Sequence, residues 1–198
     1  MRVEHWPVVK SNRDGYDDRK DRTWRVLQGL VAAQQSVKIL DIGGCEFKDR
    51  AAAAGYQYTS IDLQQPQSTG TGGHQQHTSM TYDGKVLPFE EDSFDVVLVG
   101  FVFHHAAENT LPLLKQISKI ATQYVIIGED ISEVEYPMKW HQRNHEHQPG
   151  GVYRSTGEWE MLFTLFGIPA TDMYVVHRAD DDDGERVYRC VYVCPRIH

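Results

Sequence analysis

A chain of 198 residues is long enough to bury a hydrophobic core and has the length of a single domain covering residues 1–198. Its composition, 40% hydrophobic and 11% aromatic, argues against a disordered chain, and no run of about 20 apolar residues is present to cross a membrane. The net charge of −8, without a basic stripe, argues against a protein that binds nucleic acid mainly through phosphates.

The cysteines and the N-terminus indicate the cellular setting. Three cysteines without a CxxC pair predict free thiols rather than a disulfide framework. The N-terminal residues contain no apolar core of the kind found in signal peptides. We therefore expect a cytoplasmic protein.

The first part of the sequence predicts a polar arm, two helices and two strands. Residues 1–20 are polar and charged and are assigned to an arm. Apolar residues at helical spacing in DRTWRVLQGLVAAQQ predict a helix that Asp21 caps. The elements that follow are a buried strand (VKILDI, 37–42), a helix that ends at Gly55 (KDRAAAAG), a second strand (YQYTSIDL, 56–63) and a polar loop (64–81).

The second part predicts two buried strands, two helices and a terminal hairpin. The apolar run at 96–99 predicts a central parallel strand, and an amphipathic helix over 110–121 places Leu111 and Leu114 on its apolar face. The remaining elements are a strand ending in acids (YVIIGEDI, 124–131), a helix with a Ser155–Glu158 capping box that ends at Gly167, and two alternating strands joined by an acidic turn (ADDDDGE).

This order of elements predicts a mostly parallel α/β sheet with helices on both faces. Ligands in such sheets bind at the carboxyl ends of the strands, near the point where the strand order reverses. The candidate residues at or near those ends are Asp41, Asp62, Asp83, Gly100, Glu129 and Asp130. We expect them to surround a ligand.

The stretch ILDIGG at 39–44 ends a strand in a glycine turn, which lets backbone N–H groups approach a ligand. Asp62 follows Asp41 by 21 residues, a spacing at which an acid can accept both hydroxyls of a ribose. The pattern predicts a nucleoside-type cofactor. The structural alternative is a tight turn accompanied by a solvent-exposed aspartate.

ILDIGG, followed by IDL and then by YDGKVLPFEEDSFDVVLVGFVFHH, resembles the class I S-adenosylmethionine-dependent methyltransferases, in particular the branch that acts on small molecules. The resemblance covers residues 37–130. It implies a Rossmann-like, seven-stranded, mostly parallel sheet with an antiparallel last strand. It also implies S-adenosyl-L-methionine as the cofactor and methyl transfer to a small-molecule acceptor.

The resemblance also implies where the cofactor lies. The glycine turn would contact the methionine part, Asp62 the ribose, and Asp83 with Gly84 the adenine, while Gly100 and Phe101 would line the floor beside the sulfonium. The first helix would approach the cofactor carboxylate through Tyr16 or Arg22. The full set of expected cofactor-binding residues is Tyr16, Asp41, Gly43, Gly44, Cys45, Asp62, Leu63, Asp83, Gly84, Gly100 and Phe101.

The glycine turn departs from the family pattern, because Cys45 and Phe47 stand where further glycines are usual. Cys45 fits if its backbone angles are ordinary, since only a positive φ strongly favours glycine. We expect Phe47 to narrow the cradle or to form part of its wall. Loss of cofactor binding is the alternative interpretation of this departure.

The expected catalytic residues are His104, His105, Asp130 and His141. A histidine beside a cleft can act as a general base near neutral pH, and one of two adjacent carboxylates can have a raised pKa. The alternative for the histidine pair is a structural role, with one ring capping the next helix or bonding a buried carbonyl.

Residues 131–157 follow the fifth strand, where the resemblance implies a substrate lid. Trp140, His145 and Arg154 are the expected substrate contacts, and Arg154 would pair with an anionic group. The alternatives are a metal site formed by the histidines of KWHQRNHEH, a solvated polar segment, and a surface salt bridge for Arg154. We expect no metal.

Two other functions are compatible with the same fold. One is methylation of RNA or of a protein side chain, against which the negative charge and the absence of an Asn-Pro-Pro-Tyr type motif count. The other is a catalytically inactive binding or scaffold module, which Cys45 and Phe47 favour. Neither changes the expected fold.

Overall fold

The computed structural model describes residues 2–5, 14–44, 47–63, 77–131, 152–180 and 186–197. The strands are β1 (Arg2–His5), β2 (Lys38–Ile42), β3 (Gln57–Asp62), β4 (His77–Thr81), β5 (Phe94–Gly100), β6 (Ala121–Ile131), β7 (Asp172–Asp180) and β8 (Arg186–Pro195). The helices are α1 (Asp14–Val31), α2 (Lys48–Ala53), α3 (Phe103–Ala106), a 3₁₀ turn (Ala107–Asn109), α4 (Thr110–Ile120) and α5 (Thr156–Leu165).

The described strands form one sheet in the order β1-β7-β8-β6-β5-β2-β3-β4, in which β8 alone runs antiparallel to its neighbours. The predicted Rossmann-like sheet with an antiparallel last strand is confirmed. β1 adds an eighth strand at the edge, where Val3 lies opposite Met173 of β7 in parallel register.

The alternating side chains of the central strands build a core on each face of the sheet, as the predicted two-sided packing requires. On one face, Leu40 and Val97 belong to the core with α4 and α5. On the other face, Ile39 and Val96 pack with α1 and α2. All four side chains are fully buried.

The N-terminal predictions need two corrections. Residues 2–5 form a strand and α1 already begins at Asp14, so residues 1–20 are not simply an arm. Asp21 does not cap the helix, because it lies within α1 and forms an ion pair with Arg50 of α2. The polar character of residues 14–20 concealed a helix whose apolar face begins only at Trp24.

Other boundaries shift by a few residues. The predicted loop over 64–81 ends in a strand, since 77–81 pair in parallel with β3, and residues 64–76 lie outside the described residues. In α4 the buried residue is Leu113 rather than Leu111, which is 45% exposed. The capping box of α5 is confirmed, with the Ser155 hydroxyl accepting the Glu158 N–H and the Glu158 carboxylate accepting the Ser155 N–H.

Candidate active site

The order of strands reverses between β2 and β5. From β2 the chain continues to β3 and β4 on one side, and it then returns to β5 on the other side of β2. The carboxyl ends of β2 and β5 therefore open a crevice, which is the usual ligand position in such sheets. A cavity of about 610 Å³ lies there.

Seven of the predicted cofactor residues line this cavity, namely Gly43, Asp62, Leu63, Asp83, Gly84, Gly100 and Phe101. Three of the predicted catalytic residues, His104, His105 and Asp130, line it as well. The fold thus brings together residues that lie up to 87 positions apart in the sequence, from Gly43 to Asp130.

Gly43 is required by its conformation and its surroundings. Its φ is +80°, and a Cβ added there would lie 2.1 Å from a methyl group of Val102. Its N–H donates to the carbonyl oxygen of Ile61 at 2.8 Å, which ties the turn to β3. Because no side chain projects from Gly43, a ligand can approach the backbone closely.

Asp41 is buried beneath the glycine turn and does not line the cavity. Its side chain is buried and accepts a hydrogen bond from the hydroxyl of Tyr58. A Cβ at Gly44 would lie 3.0 Å from the Asp41 carboxylate, so the small residue allows the turn to fold over that acid. Cys45 lies outside the described residues.

Phe47 does not narrow the cavity, contrary to our expectation. Its side chain is 5% exposed, and its ring stacks on Trp24 of α1 at a centroid distance of 5.7 Å. The ring therefore belongs to the hydrophobic core between α1 and the sheet. The departure from the family pattern at this position adds core packing and does not fill the cradle.

Two carboxylates stand at the ends of β3 and β4. An oxygen of Asp62 accepts the Leu63 N–H at 2.6 Å. Asp83 accepts the backbone N–H groups of Lys85 and Val86 at 2.8 and 2.9 Å, and these bonds lower its pKa, which keeps the carboxylate ionised at neutral pH.

Between the two carboxylates, Tyr82 is half-buried and lines the cavity. Burial and, secondarily, the nearby charges of Asp62 and Asp83 raise the pKa of its hydroxyl, which therefore remains protonated at neutral pH. A neutral hydroxyl beside two carboxylates is a hydrogen-bond donor as well as an acceptor.

Arg19 of α1 is a cavity residue that our sequence reasoning missed. Its side chain is buried, and its guanidinium carbon lies 4.0 Å above the centroid of the Phe101 ring. Sequence reasoning pointed instead to Arg22, which does not line the cavity, and to Tyr16, whose side chain lies outside the described residues. Helical spacing offered a signal, since Arg19 lies one turn after Tyr16 on the same helix.

Phe101 itself is held in a special conformation. Its φ is +61°, and its N–H donates to the carbonyl oxygen of Gly128 at 2.8 Å. Gly128 leaves room for the ring, since a Cβ there would lie 3.0 Å from it. The ring therefore lies between the guanidinium of Arg19 and the backbone of β6.

The adjacent acids at the end of β6 have different partners. Glu129 is fully buried, and its two oxygens contact Nδ1 of His104 at 2.8 Å and accept the Phe103 N–H at 2.7 Å. Asp130 lines the cavity and accepts a hydrogen bond at 2.8 Å from Nε of Arg189 in β8. The sequence could not distinguish the two acids, and it gave no sign of Arg189.

The charges around His104 shift several pKa values. Burial lowers the pKa of His104, but the hydrogen bond and the charge of Glu129 outweigh burial and raise it above the ordinary value. Burial raises the pKa of Glu129, and the hydrogen bond and charge of His104 offset this rise only in part. The pKa of His105 is lowered, first by partial burial and then by the charge of His104. The pKa of Tyr153 is raised to about 12 by burial and by the charges of Asp130 and Glu129.

Arg154 does not line this cavity. Its backbone pairs with Ile131, and its guanidinium carbon lies 4.9 Å from the centroid of a Trp159 ring. Its Nη1 atom is buried without a hydrogen-bond partner among the described residues. The other residues predicted in the lid, Trp140, His141 and His145, lie outside the described residues.

Within the described parts of the chain, no group of three or more His, Cys, Asp and Glu side chains is arranged to hold a metal ion. The same parts contain no helix that is long and apolar enough to span a membrane.

Residues 40–127 match the sequence model of a family described as "Methyltransferase domain". This segment contains the glycine turn, the carboxylates Asp62 and Asp83 and the paired histidines, which are residues on which the resemblance was based. No curated protein sequence matches the chain.

Solved structures share the fold. A 1,6-didemethyltoxoflavin-N1-methyltransferase from Burkholderia thailandensis, with bound 1,6-didemethyltoxoflavin and S-adenosylhomocysteine, is similar with a TM-score of 0.71 and 15% identity over 94% of this chain and 82% of that one. A magnesium protoporphyrin IX methyltransferase from Synechocystis, with bound S-adenosylhomocysteine, gives a TM-score of 0.66 and 16% identity over 96% and 90%. An S-adenosylmethionine-dependent methyltransferase from Methanosarcina mazei has a TM-score of 0.66 and 16% identity, over 87% of this chain and 97% of that one. The resemblance to class I methyltransferases is confirmed.

Proposed function

We propose that this chain, whose residues 40–127 match the methyltransferase domain family, transfers a methyl group from S-adenosylmethionine to a small-molecule acceptor held beside His104, His105 and Asp130. The observation that carries the proposal is the continuity of the cavity. The same cavity is lined by Gly43 of the glycine turn, by Phe101 and by this polar group. Its volume of about 610 Å³ falls within the ~300–1,000 Å³ range of small-molecule sites.

The residues on the β2–β4 side of the cavity fit the cofactor. Gly43 provides a cradle that a Cβ would fill, and Asp62 stands where a carboxylate can accept ribose hydroxyls. Asp83 and Gly84 would border the adenine, and Arg19 would attract the cofactor carboxylate. When bound, S-adenosylmethionine supplies an electrophilic methyl group, and the protein's contribution is to align an acceptor with it.

The residues on the β5–β6 side give the acceptor its surroundings. Asp130 accepts a hydrogen bond from Arg189, and His105 and Asn109 line the same region of the cavity. Such convergent polar groups orient a polar small molecule. The net charge of −8 disfavours an RNA substrate.

Calorimetry tests the cofactor part of this proposal. S-adenosylmethionine and S-adenosylhomocysteine should both bind the full chain, and Asp62→Ala should weaken binding about tenfold or more, because two ribose hydroxyls lose a charged acceptor. The matched control is Glu90→Ala, which removes an exposed carboxylate that does not line the cavity. Absence of binding at millimolar cofactor would refute the enzymatic function.

A turnover screen tests the acceptor part. Release of S-adenosylhomocysteine is followed with a panel of phenols, catechols, N–H heterocycles, amines, tertiary amines and thioethers, and in parallel with mixed peptides and RNA. We expect turnover in the small-molecule wells. Turnover confined to peptides or RNA would contradict a small-molecule acceptor.

A further inference from the structure

His104 is anchored where β5 leads into α3. Its side chain is 5% exposed, and Nδ1 lies 2.8 Å from the fully buried carboxylate of Glu129. The second oxygen of Glu129 accepts the N–H of Phe103 at 2.7 Å, so the carboxylate cannot turn away from the ring. A buried carboxylate held by two donors fixes both the position and the tautomer of the imidazole.

The ring of His104 is also held from its faces. Tyr153 stacks on it at a centroid distance of 5.3 Å and an interplanar angle of 19°, and the ring of His105 lies 4.0 Å away. The carbonyl oxygen of His104 accepts the N–H of Val152 at 2.8 Å, which fastens the Tyr153 segment over the ring. The imidazole therefore has little freedom to rotate.

This arrangement leaves one nitrogen of His104 available. The Glu129 carboxylate, 2.8 Å from Nδ1, favours the tautomer in which Nδ1–H donates, and in that tautomer Nε2 carries the lone pair. No described residue hydrogen-bonds Nε2. His104 also lines the cavity, next to Val102 and the floor residues Gly100 and Phe101. An imidazole that lines a cavity and has one nitrogen fixed on a buried carboxylate is the arrangement of a general base with its orienting partner.

We propose that His104 is the general base of the methyl transfer, that Glu129 is its positioning residue, and that the acceptor is consequently a compound whose nucleophilic oxygen or nitrogen must lose a proton. This inference rests on the proposed methyltransferase function and narrows its acceptor class. It assigns a role to Glu129 that the sequence did not distinguish from that of Asp130.

The step balances in atoms and charge. The acceptor heteroatom forms a bond to the methyl carbon while the carbon–sulfur bond breaks and its electron pair stays on sulfur. Nε2 of His104 takes the proton of the acceptor. The positive charge that sulfur loses thus appears on the imidazolium, beside the carboxylate of Glu129, and the proton later passes to solvent.

Neither neighbouring candidate is as well placed as His104. One carboxylate oxygen of Asp130 already accepts a hydrogen bond from Nε of Arg189 at 2.8 Å and is therefore less free to take a proton from an acceptor. His105 lines the cavity, but it is exposed, and no carboxylate of the described residues lies at hydrogen-bond distance from its ring. Its lowered pKa also makes it the weaker base of the two histidines.

The charged and titratable groups facing His104 come from every element around it, namely Glu129 and Asp130 of β6, Arg189 of β8, His105 of α3 and Tyr153. Glu129 and Asp130 favour the imidazolium, whereas burial and Arg189 oppose it, and the pKa is raised on balance. Since the base is the neutral imidazole, activity should fall as the pH drops through this raised pKa, above the ordinary value of about 6.5.

Imidazole NMR tests the proposal without an acceptor. Two-bond ¹⁵N–¹H spectra of the full chain, saturated with S-adenosylhomocysteine, are recorded across pH, and His104 is assigned by comparison with His104→Gln. We expect Nδ1 protonation and a pKa above that of an exposed histidine. Glu129→Gln should lower this pKa by about one or more, because burial then acts without the carboxylate charge. An unchanged pKa in Glu129→Gln, or protonation at Nε2 alone in the neutral ring, would overturn the proposal.

Turnover of the acceptor panel gives the second readout. Phenols, catechols and N–H heterocycles should react, and His104→Gln should lower kcat about 100-fold or more while the calorimetric Kd for S-adenosylhomocysteine changes less than about twofold. Lys115→Gln is the control, because it changes an exposed side chain of α4 that does not line the cavity, and it should retain most activity. Preferred turnover of tertiary amines or thioethers, which have no proton to lose, or full activity in His104→Gln would overturn the inference. Absence of S-adenosylhomocysteine binding by the wild-type chain would instead refute the methyltransferase function itself.

Discussion

The two sides of the cavity are built in different ways. On the β2–β4 side, Gly43, Asp62 and Asp83 lie at or just after the ends of β2, β3 and β4, and hydrogen bonds with backbone groups fix them. On the β5–β6 side, the key side chains are fixed by partners distant in sequence, as in the Asp130–Arg189 pair, whose members are 59 residues apart. In the proposed function, the first side is a backbone cradle for the cofactor, whereas the second is a side-chain network that contacts the acceptor.

The largest expected effect is on the cradle. Gly43→Val should abolish detectable binding of S-adenosylhomocysteine at millimolar concentration, because its Cβ would clash with Val102 at a backbone angle that disfavours any side chain. Calorimetry measures this, and circular dichroism checks folding. Gly29→Ala is the control, since a Cβ at that exposed position of α1 would have no atom within 4 Å, and it should bind normally. Normal binding of S-adenosylhomocysteine by Gly43→Val would contradict the assignment of the glycine turn to the cofactor site.

The acceptor side should respond in the opposite manner. Asp130→Asn weakens the pair with Arg189 and should lower turnover by up to about 100-fold through misplacement of the acceptor, with the Kd for S-adenosylhomocysteine changed less than about twofold. Initial rates over the acceptor panel and calorimetry measure the two quantities separately. A cofactor affinity that falls as far as the rate would show that the two sides are not separable.

Arg19 sharpens the boundary between the two sides, because it comes from α1 and lies over Phe101. Arg19→Ala should weaken S-adenosylhomocysteine binding about tenfold, equivalent to about 1.4 kcal/mol, through loss of a cation near the cofactor carboxylate. Arg25→Ala removes an exposed cation from the same helix and should leave the affinity unchanged. An equal loss of affinity in both variants would mean that Arg19 acts only through the net charge of the protein and not through a local contact.

The smallest effect should come from Phe47. Phe47→Leu should lower the free energy of unfolding by about 1 kcal/mol through poorer packing against Trp24, and should leave cofactor affinity unchanged. Urea unfolding and calorimetry measure the two properties. A change in cofactor affinity without a change in the free energy of unfolding would indicate that Phe47 lines the cofactor site.

The same contrast explains what the sequence could predict. The fold and the cradle were predictable because Gly43, Asp62 and Asp83 belong to local patterns of strand, turn and acid. Glu129, Asp130 and Arg189 could not be assigned, because only the antiparallel register of β6 and β8 places Asp130 opposite Arg189. The strand β1 escaped prediction for a related reason, since it has only four residues, three of them polar, and its partner strand lies about 170 positions later.

Phe47 illustrates a different limit. Its position in a glycine pattern suggested contact with the cofactor, but whether its ring faces the cradle or the core depends on the packing of α1. Arg19 was missed for the converse reason, because a cation in a charged segment gives no signal of burial. In both cases the position of α1 over the sheet decides the environment, and this position is a tertiary property.

A crystal structure of the chain with S-adenosylhomocysteine tests the central claim most directly. We expect ligand density in the cavity at the ends of β2, β3 and β5, with the ribose at Asp62, the adenine beside Asp83 and Gly84, and the methionine part at Gly43. The sulfur should then face the part of the cavity that His104 lines. Density at another site, or a ligand-saturated crystal with this cavity empty, would contradict the account.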